Sequence, residues 1–261
     1  MSRDPRQALS RELDRWSEGD RRLRLWLRDD DAVAPSPALG RLSDLAERFG
    51  APVLLAVIPM LAEPALAPAL RAMPLLRPCQ HGVWHRNHAQ AGAKKSEFGP
   101  DRDAPTVDAE IALGSRRLAE LLGPAILPAF VPPWNRIDPG HAARLPALGF
   151  TGLSCFRNYC LGPRGGPALL NTHIDVMDWQ GGRIGRPPAE LLAEIVAWLS
   201  AARETGALAA DLGLLLHHRD HDETVWSFLT AFLKAAGHPA VSLVDPGRLL
   251  APPFTATQPK T

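Results

Sequence analysis

Apolar residues recur along this chain in two rhythms, and the two alternate from end to end. Residues 23–28 (Leu-Arg-Leu-Trp-Leu-Arg) alternate at every second position, which predicts a first strand. Residues 52–58 form an unbroken apolar run with Pro59 behind it, the pattern of a strand buried on both faces in a parallel sheet. Further strands are predicted at 75–79, 125–131, 152–156, 168–175 and 212–216, with another at 241–244. Between them the spacing turns helical. Leu9, Leu13 and Trp16 share a face over 6–18, and Leu39, Leu42, Leu45, Ala46 and Phe49 follow a Ser36 cap, Pro37 at the first turn and Gly50 as the stop. Helices are also predicted at 62–72, 106–122, 138–147, 188–204 and 222–236, and 90–105 reads as a polar loop long enough to cover a site.

This alternation, free of internal repeats, predicts an α/β architecture with parallel strands. No Gly-rich phosphate loop follows the first strand, which argues against a nucleotide-binding open sheet. Polar residues collect where strands end, which is where a barrel keeps its chemistry. The expectation is one (β/α) barrel domain over 23–250, preceded by a helical extension at 1–22 and followed by a flexible tail at 251–261.

Composition narrows the picture. Of the 261 residues, 46% are hydrophobic and 22% charged, enough for one large core under an ordinary surface. A net charge of +1 gives no footprint for nucleic acid, and no Lys/Arg run marks a membrane surface. No apolar run nears the ~18 residues of a spanning helix, and residues 1–22 carry no apolar signal core. Cys79, Cys155 and Cys160 are odd in number and lack metal-site spacing, so a reduced, cytoplasmic setting is expected.

Five clusters at strand ends then change what the barrel is expected to do. Asp29-Asp30-Asp31 close the first strand, and three adjacent carboxylates need a metal, an arginine or a shared proton unless they form a solvated loop. After the third strand come His81, His85 and His88, which a helical turn would align on one face as ligands for Zn²⁺. Pro132-Pro133-Trp134 follows the fourth strand, either as a rigid corner around a core tryptophan or as an exposed ring for a ligand. Asp175, Asp178 and Trp179 sit at another strand end. His217, His218 and His221 follow the buried run 212–216, where an imidazole is well placed for acid–base work near pH 7.

The order of these clusters resembles the polysaccharide deacetylase family (NodB-like, carbohydrate esterase family 4). The matching motifs are Asp-Asp, His-x-x-x-His, Pro-Pro-Trp, Asp-x-x-Asp-Trp and Leu-x-His over about 25–222. The resemblance implies a distorted seven-stranded (β/α) barrel and hydrolysis of a C–N bond, removing acetyl from an N-acetylated sugar or related amide. It implies one divalent ion, Zn²⁺ being the expected one, held by Asp31, His81 and His85. It casts Asp30 as catalytic base, His217 as general acid and Asp178 as the acid that orients His217. Pro133, Trp134 and Trp179 would line the groove for a small-molecule or oligosaccharide substrate.

Two positions depart from the family pattern. Ala32 stands where the first motif normally ends in glycine, and Val131 stands where an arginine normally pairs with the base. Arg28 and Arg136 are the candidates to supply that charge. Without it, a catalytically idle carbohydrate-binding barrel is the alternative, as is a metal-dependent amidase or esterase acting on a non-sugar substrate. The register also leaves His218 able to complete the Leu-x-His pattern from Leu216.

Overall fold

The computed structural model describes residues 4–250. Helix α1 (Pro5–Glu18) opens on an Asp4 cap and lays Leu9, Leu13 and Trp16 into the main core. Strand β1 (Arg22–Ala32) is followed by α2 (Pro37–Phe49), which Ser36 caps and Gly50 ends in the left-handed conformation, as the sequence predicts. Then come β2 (Val53–Val57), α3 (Leu66–Arg71), β3 (Leu76–His81), α4 (Ala104–Leu122) and β4 (Ala129–Val131). The next elements are α5 (Pro139–Ala142), β5 (Gly152–Leu153), β6 (Ala168–Leu169), β7 (Ile174–Asp175), β8 (Met177–Asp178) and β9 (Ile184–Gly185). Helix α6 (Pro188–Glu204), β10 (Ala209–Leu216), α7 (Glu223–Ala235), β11 (Val241–Leu243) and α8 (Pro246–Leu249) complete the order.

The strands run β6-β5-β4-β3-β2-β1-β10-β7 in one sheet, and every pairing along it is parallel. Its two ends belong to one segment of chain. Ala168 and Leu169 pair with Gly152 and Leu153, while Ile174 and Asp175 pair with Leu214 and Leu215. Residues 168–175 thus bridge β5 to β10 and curl the sheet into a barrel. Counted as one strand, this segment gives the seven expected, with β11 added beside the first half of β1. The single strand predicted there is two short pairings because the chain changes neighbours at Thr172 and His173.

Alternation along β1 sorts its side chains. Leu23, Leu25 and Leu27 pack outward into the core shared with the helices, while Trp26 packs inward with Leu54, Ala56, Cys79, Ala129 and Val131. The inward packing is tight, since a Cβ on Gly213 would lie 2.5 Å from the Trp26 ring. Two predicted helices are shorter than their patterns. Of 62–72 only Leu66–Arg71 is α-helical, beginning after Pro64, and 138–147 divides into Pro139–Ala142 and a 3₁₀ turn at Leu145–Leu148, where Pro146 lacks an N–H to continue the ladder. The tail at 251–261 lies outside the described residues. Among the described residues, no helix is long and apolar enough to cross a membrane.

Candidate metal centre and catalytic cleft

Strand β1 does not stop before its aspartates. It runs through them to Ala32, with a break in register against β2 between Asp29 and Ala32. At this irregularity Asp31 takes φ +71°, a conformation costly for any side chain but glycine. In a regular strand Asp29 and Asp31 would share a face. Here Asp29 keeps the outward side, and Asp31 is turned in beside Asp30.

Each aspartate has its own counterpart. Asp29 is buried and accepts from the backbone N–H of His218 (2.7 Å) and from its ring Nδ1 (2.5 Å). Burial would raise the Asp29 carboxyl, but the charge and hydrogen bond of His218 outweigh it and hold it below its usual value. The same pairing raises His218 against the opposing effect of burial. Asp30 meets Arg28, whose Nη2 donates to Oδ2 at 3.0 Å while Nε lies 2.9 Å from Oδ1. Arg28 is itself fully buried and donates to Ser154 Oγ and to the carbonyls of Ser154 and Cys155, and also contacts Asn135 Oδ1. The charge missing at Val131 is therefore present, carried by β1 instead of β4. Arg136, the other candidate, donates to the Lys95 carbonyl.

Asp31 Oδ1 lies 3.1 Å from His81 Nε2 and 3.3 Å from His85 Nε2. One donor atom from each of the three falls within 4.8 Å of the others, and among the described residues they are the group able to hold a metal ion. The donor set fits a divalent ion. His81 Nδ1 is committed to the Val131 carbonyl at 2.9 Å, which fixes its tautomer and leaves Nε2 as the ligand atom. Burial would raise Asp31, yet the hydrogen bond and charge of His81, with those of His85 and His217, hold it far below the carboxylate range. Burial and the field of His81 lower His85, favouring the neutral ring a metal requires.

The histidines converge without the helical turn their spacing suggests. His81 ends β3, and the chain then reverses through Gly82 (φ +53°) and His85 (φ +55°). His88 is exposed, and its N–H bonds the Ser96 carbonyl. Glu97 holds the reversal together. This fully buried carboxylate accepts from the N–H groups of Val83 (3.1 Å), Trp84 (2.8 Å) and Arg86 (3.4 Å). A Cβ on Gly82 would strike Glu97 Oε2 and Pro133, so only glycine fits there. Nothing in the sequence distinguishes Glu97 from the other acids of a polar loop.

Pro133 is buried against that turn, and Trp134 at φ +55° sets its ring 4.4 Å from His85's, half-buried. Across the cleft, alternation along β10 sends Leu212, Leu214 and Leu216 outward and leaves His217 on the inner side, 4.5 Å from the Trp179 ring. His218 faces Asp29 instead. The structure does not bring Asp178 to His217: its Oδ1 accepts from the Gln180 and Gly181 N–H groups, tying a turn. Of the two acids in the motif, Asp175 is the one that feels the charge of His217, as Asp29 and Asp31 also do; it accepts from Met177 N (2.9 Å) and Trp179 Nε1 (2.8 Å) and is raised by burial. A carboxylate at a strand end can turn toward the centre or cap the next turn, and the Asp-x-x-Asp spacing does not say which member does which. His217 Nδ1 and His221 Nδ1 are buried without a hydrogen-bond partner.

No family model matches the sequence, and no curated protein matches it as a relative. Solved structures do match. Two are bacterial proteins assigned to the polysaccharide deacetylases, one from Mycobacterium smegmatis and one from Pseudomonas aeruginosa PAO1. The first is 17% identical with a TM-score of 0.63, spanning 88% of this chain and 90% of that one. The second is 16% identical with the same TM-score, spanning 89% and 91%. A family 4 acetyl xylan esterase from Clostridium thermocellum, solved in complex with a cobalt ion, is 15% identical with a TM-score of 0.54, spanning 87% and 90%. At these identities the likeness speaks to architecture alone, and the architecture is the NodB-like one: this chain has the polysaccharide deacetylase fold.

Proposed function

We propose that the protein is a metal-dependent deacetylase that hydrolyses the acetamide of an N-acetylated sugar. The observation that supports the reading is the convergence of Asp31, His81 and His85, with Asp30, backed by Arg28, and His217 near enough for their charges to act on that cluster. A protein that only bound sugar has no use for a base and an acid flanking a metal site. The ion, Zn²⁺ in this proposal, would supply Lewis acidity, easing deprotonation of water and polarising the amide carbonyl.

The rest of the chemistry belongs to side chains of the chain. Asp30 is not one of the three ligands, so its carboxylate is available to accept a proton from the attacking water. Arg28, at 2.9 and 3.0 Å, fixes the position of that carboxylate. Water oxygen bonds to the carbonyl carbon, the C–N bond breaks, and His217 gives the nitrogen the proton it needs to leave as an amine. The products are acetate and the free amino sugar. General acid–base help of this kind is typically worth about 10²–10⁴-fold. Asp175 orders the far wall by holding the Trp179 indole N–H, and Trp179 and Trp134 offer ring faces on which a pyranose can stack.

The test combines elemental analysis with release of acetate from a panel of N-acetyl sugars. Asp30→Asn should keep the metal and lose turnover, while His81→Ala should lose the metal and stay folded. Stoichiometric zinc in His81→Ala would remove the metal assignment. Near-native turnover in Asp30→Asn would move the base elsewhere.

A further inference from the structure

The three aspartates of β1 are all matched, and four cations around the cleft mouth are not. Asp29 is met by His218, Asp30 by Arg28, and Asp31 by the two histidines. Elsewhere on the surface some arginines sit against carboxylates, as in Arg24–Asp211, Arg102–Glu110 and Arg157–Glu194, while others such as Arg11, Arg48 and Arg116 form no ion pair among the described residues. Four exposed cations at the mouth, Arg86, Lys95, Arg136 and Arg219, form no ion pair among the described residues. What sets these four apart is that they gather around one site.

Each of the four is tied to the site. Arg219 Nη1 donates to the backbone carbonyl of Asp31 at 3.2 Å. Arg86 directly follows His85 and lies 5.6 Å from the Trp84 ring. Lys95 Nζ is 6.0 Å from the ring centre of Trp134, the ring that packs on His85. Arg136 Nη1 holds the Lys95 carbonyl at 2.9 Å. Lys95 also leads into an anchored stretch, because Ser96, Glu97 and Phe98 are all buried. The segment 94–98 is thus nailed down by its inner residues and presents its lysine beside the aromatic wall of the cleft.

We infer that the substrate is anionic: an N-acetylated sugar carrying a carboxylate or phosphate next to the ring that is deacetylated, recognised by Arg86, Lys95, Arg136 and Arg219. The sugar in this statement rests on the deacetylase reading, whereas the negative charge rests on the unpaired cations. Arginine and lysine side chains over indole faces place charge beside a stacked ring, so one ligand can meet both.

The test titrates zinc-loaded protein calorimetrically with three probes and follows acetate release from the same samples. The probes are neutral chitotetraose, an N-acetylheparosan tetrasaccharide in which glucuronate alternates with N-acetylglucosamine, and N-acetylglucosamine 1-phosphate. At about 25 mM salt at least one acidic probe should bind about tenfold tighter than chitotetraose, and the advantage should shrink by about 300 mM. The uronate and phosphate arms tell the two sources of charge apart. In the double variant Arg86→Gln/Lys95→Gln the difference between acidic and neutral probes should collapse. Equal or tighter binding of chitotetraose, a preference indifferent to salt, or no binding by any probe overturns the inference. Acetate released from chitotetraose without acidic preference overturns it too, yet leaves the deacetylase reading standing. Salt-sensitive acidic binding without acetate release sustains the anionic mouth and removes the deacetylase reading.

Discussion

Replacing Arg28 with methionine should cost this protein about 3–5 kcal/mol of stability, because it strands a buried carboxylate. The two Arg28–Asp30 approaches are 2.9 and 3.0 Å, and both side chains are essentially excluded from water. At ~3 Å and an effective dielectric constant of about 20, the attraction is about 5–6 kcal/mol. Desolvation of the two charges offsets most of that, so the pair as a unit contributes little. Its loss is different, since Asp30 would stay desolvated with no counter-charge. The carbonyls of Ser154 and Cys155 would also lose the donor they now share. A native state worth about 5–15 kcal/mol in total would lose a large fraction of it. Urea unfolding, followed by circular dichroism with chelator present so that metal affinity does not enter, measures the cost. The companion variant Arg28→Met/Asp30→Leu removes both charges and should recover most of the loss. A single variant within about 1 kcal/mol of wild type, or a double variant no better than the single, would refute the reasoning.

Three further outcomes follow from the geometry. Glu97→Gln should weaken zinc affinity about 10–100-fold in a chelator competition while leaving the helical signal intact, because the turn bearing His85 loses part of its anchor; unchanged affinity would sink that role. The Asp29–His218 pair predicts a pH window: His218, raised in the fold, stabilises fully below its unfolded pKa near 6.5 and loses that as pH rises through the folded value, whereas Asp29, lowered, contributes above about 3.8 and loses it only as pH falls. The stability lost in His218→Gln should therefore be largest between about pH 4 and 6.5, and a deficit that grows toward pH 9 contradicts the pairing. Finally, Asp175→Asn should lower turnover by about tenfold or more through Trp179 and His217, while Asp178→Asn should chiefly loosen its turn; the reverse order would return the orienting role to Asp178.

The sequence made the barrel legible because its strands are short, apolar and bounded by prolines, and because helix signals such as Ser36, Pro37 and Gly50 act locally. Candidate ligands were legible for the same reason, lying at the ends of β1 and β3. What was hidden depends on backbone that breaks its period. The turn at Asp31 and the reversals at Gly82, His85 and Trp134 have positive φ, which no apolar pattern encodes. The helical face expected for His81, His85 and His88 is absent for that reason. Glu97 was hidden differently, and Arg28 was legible only as one of two candidates, because each acts across the fold on distant backbone, 11–14 residues away for Glu97 and 126–127 for the Arg28 bonds to Ser154 and Cys155. Asp178 and Asp175 differ in whether a carboxylate ties a turn or faces the cleft, a choice settled by one or two dihedrals.

The way the barrel is closed also bears on how it breathes. Strand β1 meets β10 at eight successive positions, while residues 168–175 are held by three paired positions on one flank and two on the other. Local opening free energy scales with such pairing, so amide protons along the closing segment should exchange with solvent well before those of β1 and β10. The cleft inherits this asymmetry. Asp31 and His81 stand on the slow-exchanging side, and Asp175 and Trp179 ride on or just past the fast one. On the proposed reading, a bulky substrate would displace the Trp179 wall more readily than the ligand wall, so tolerance for substrate girth would reside in the seam.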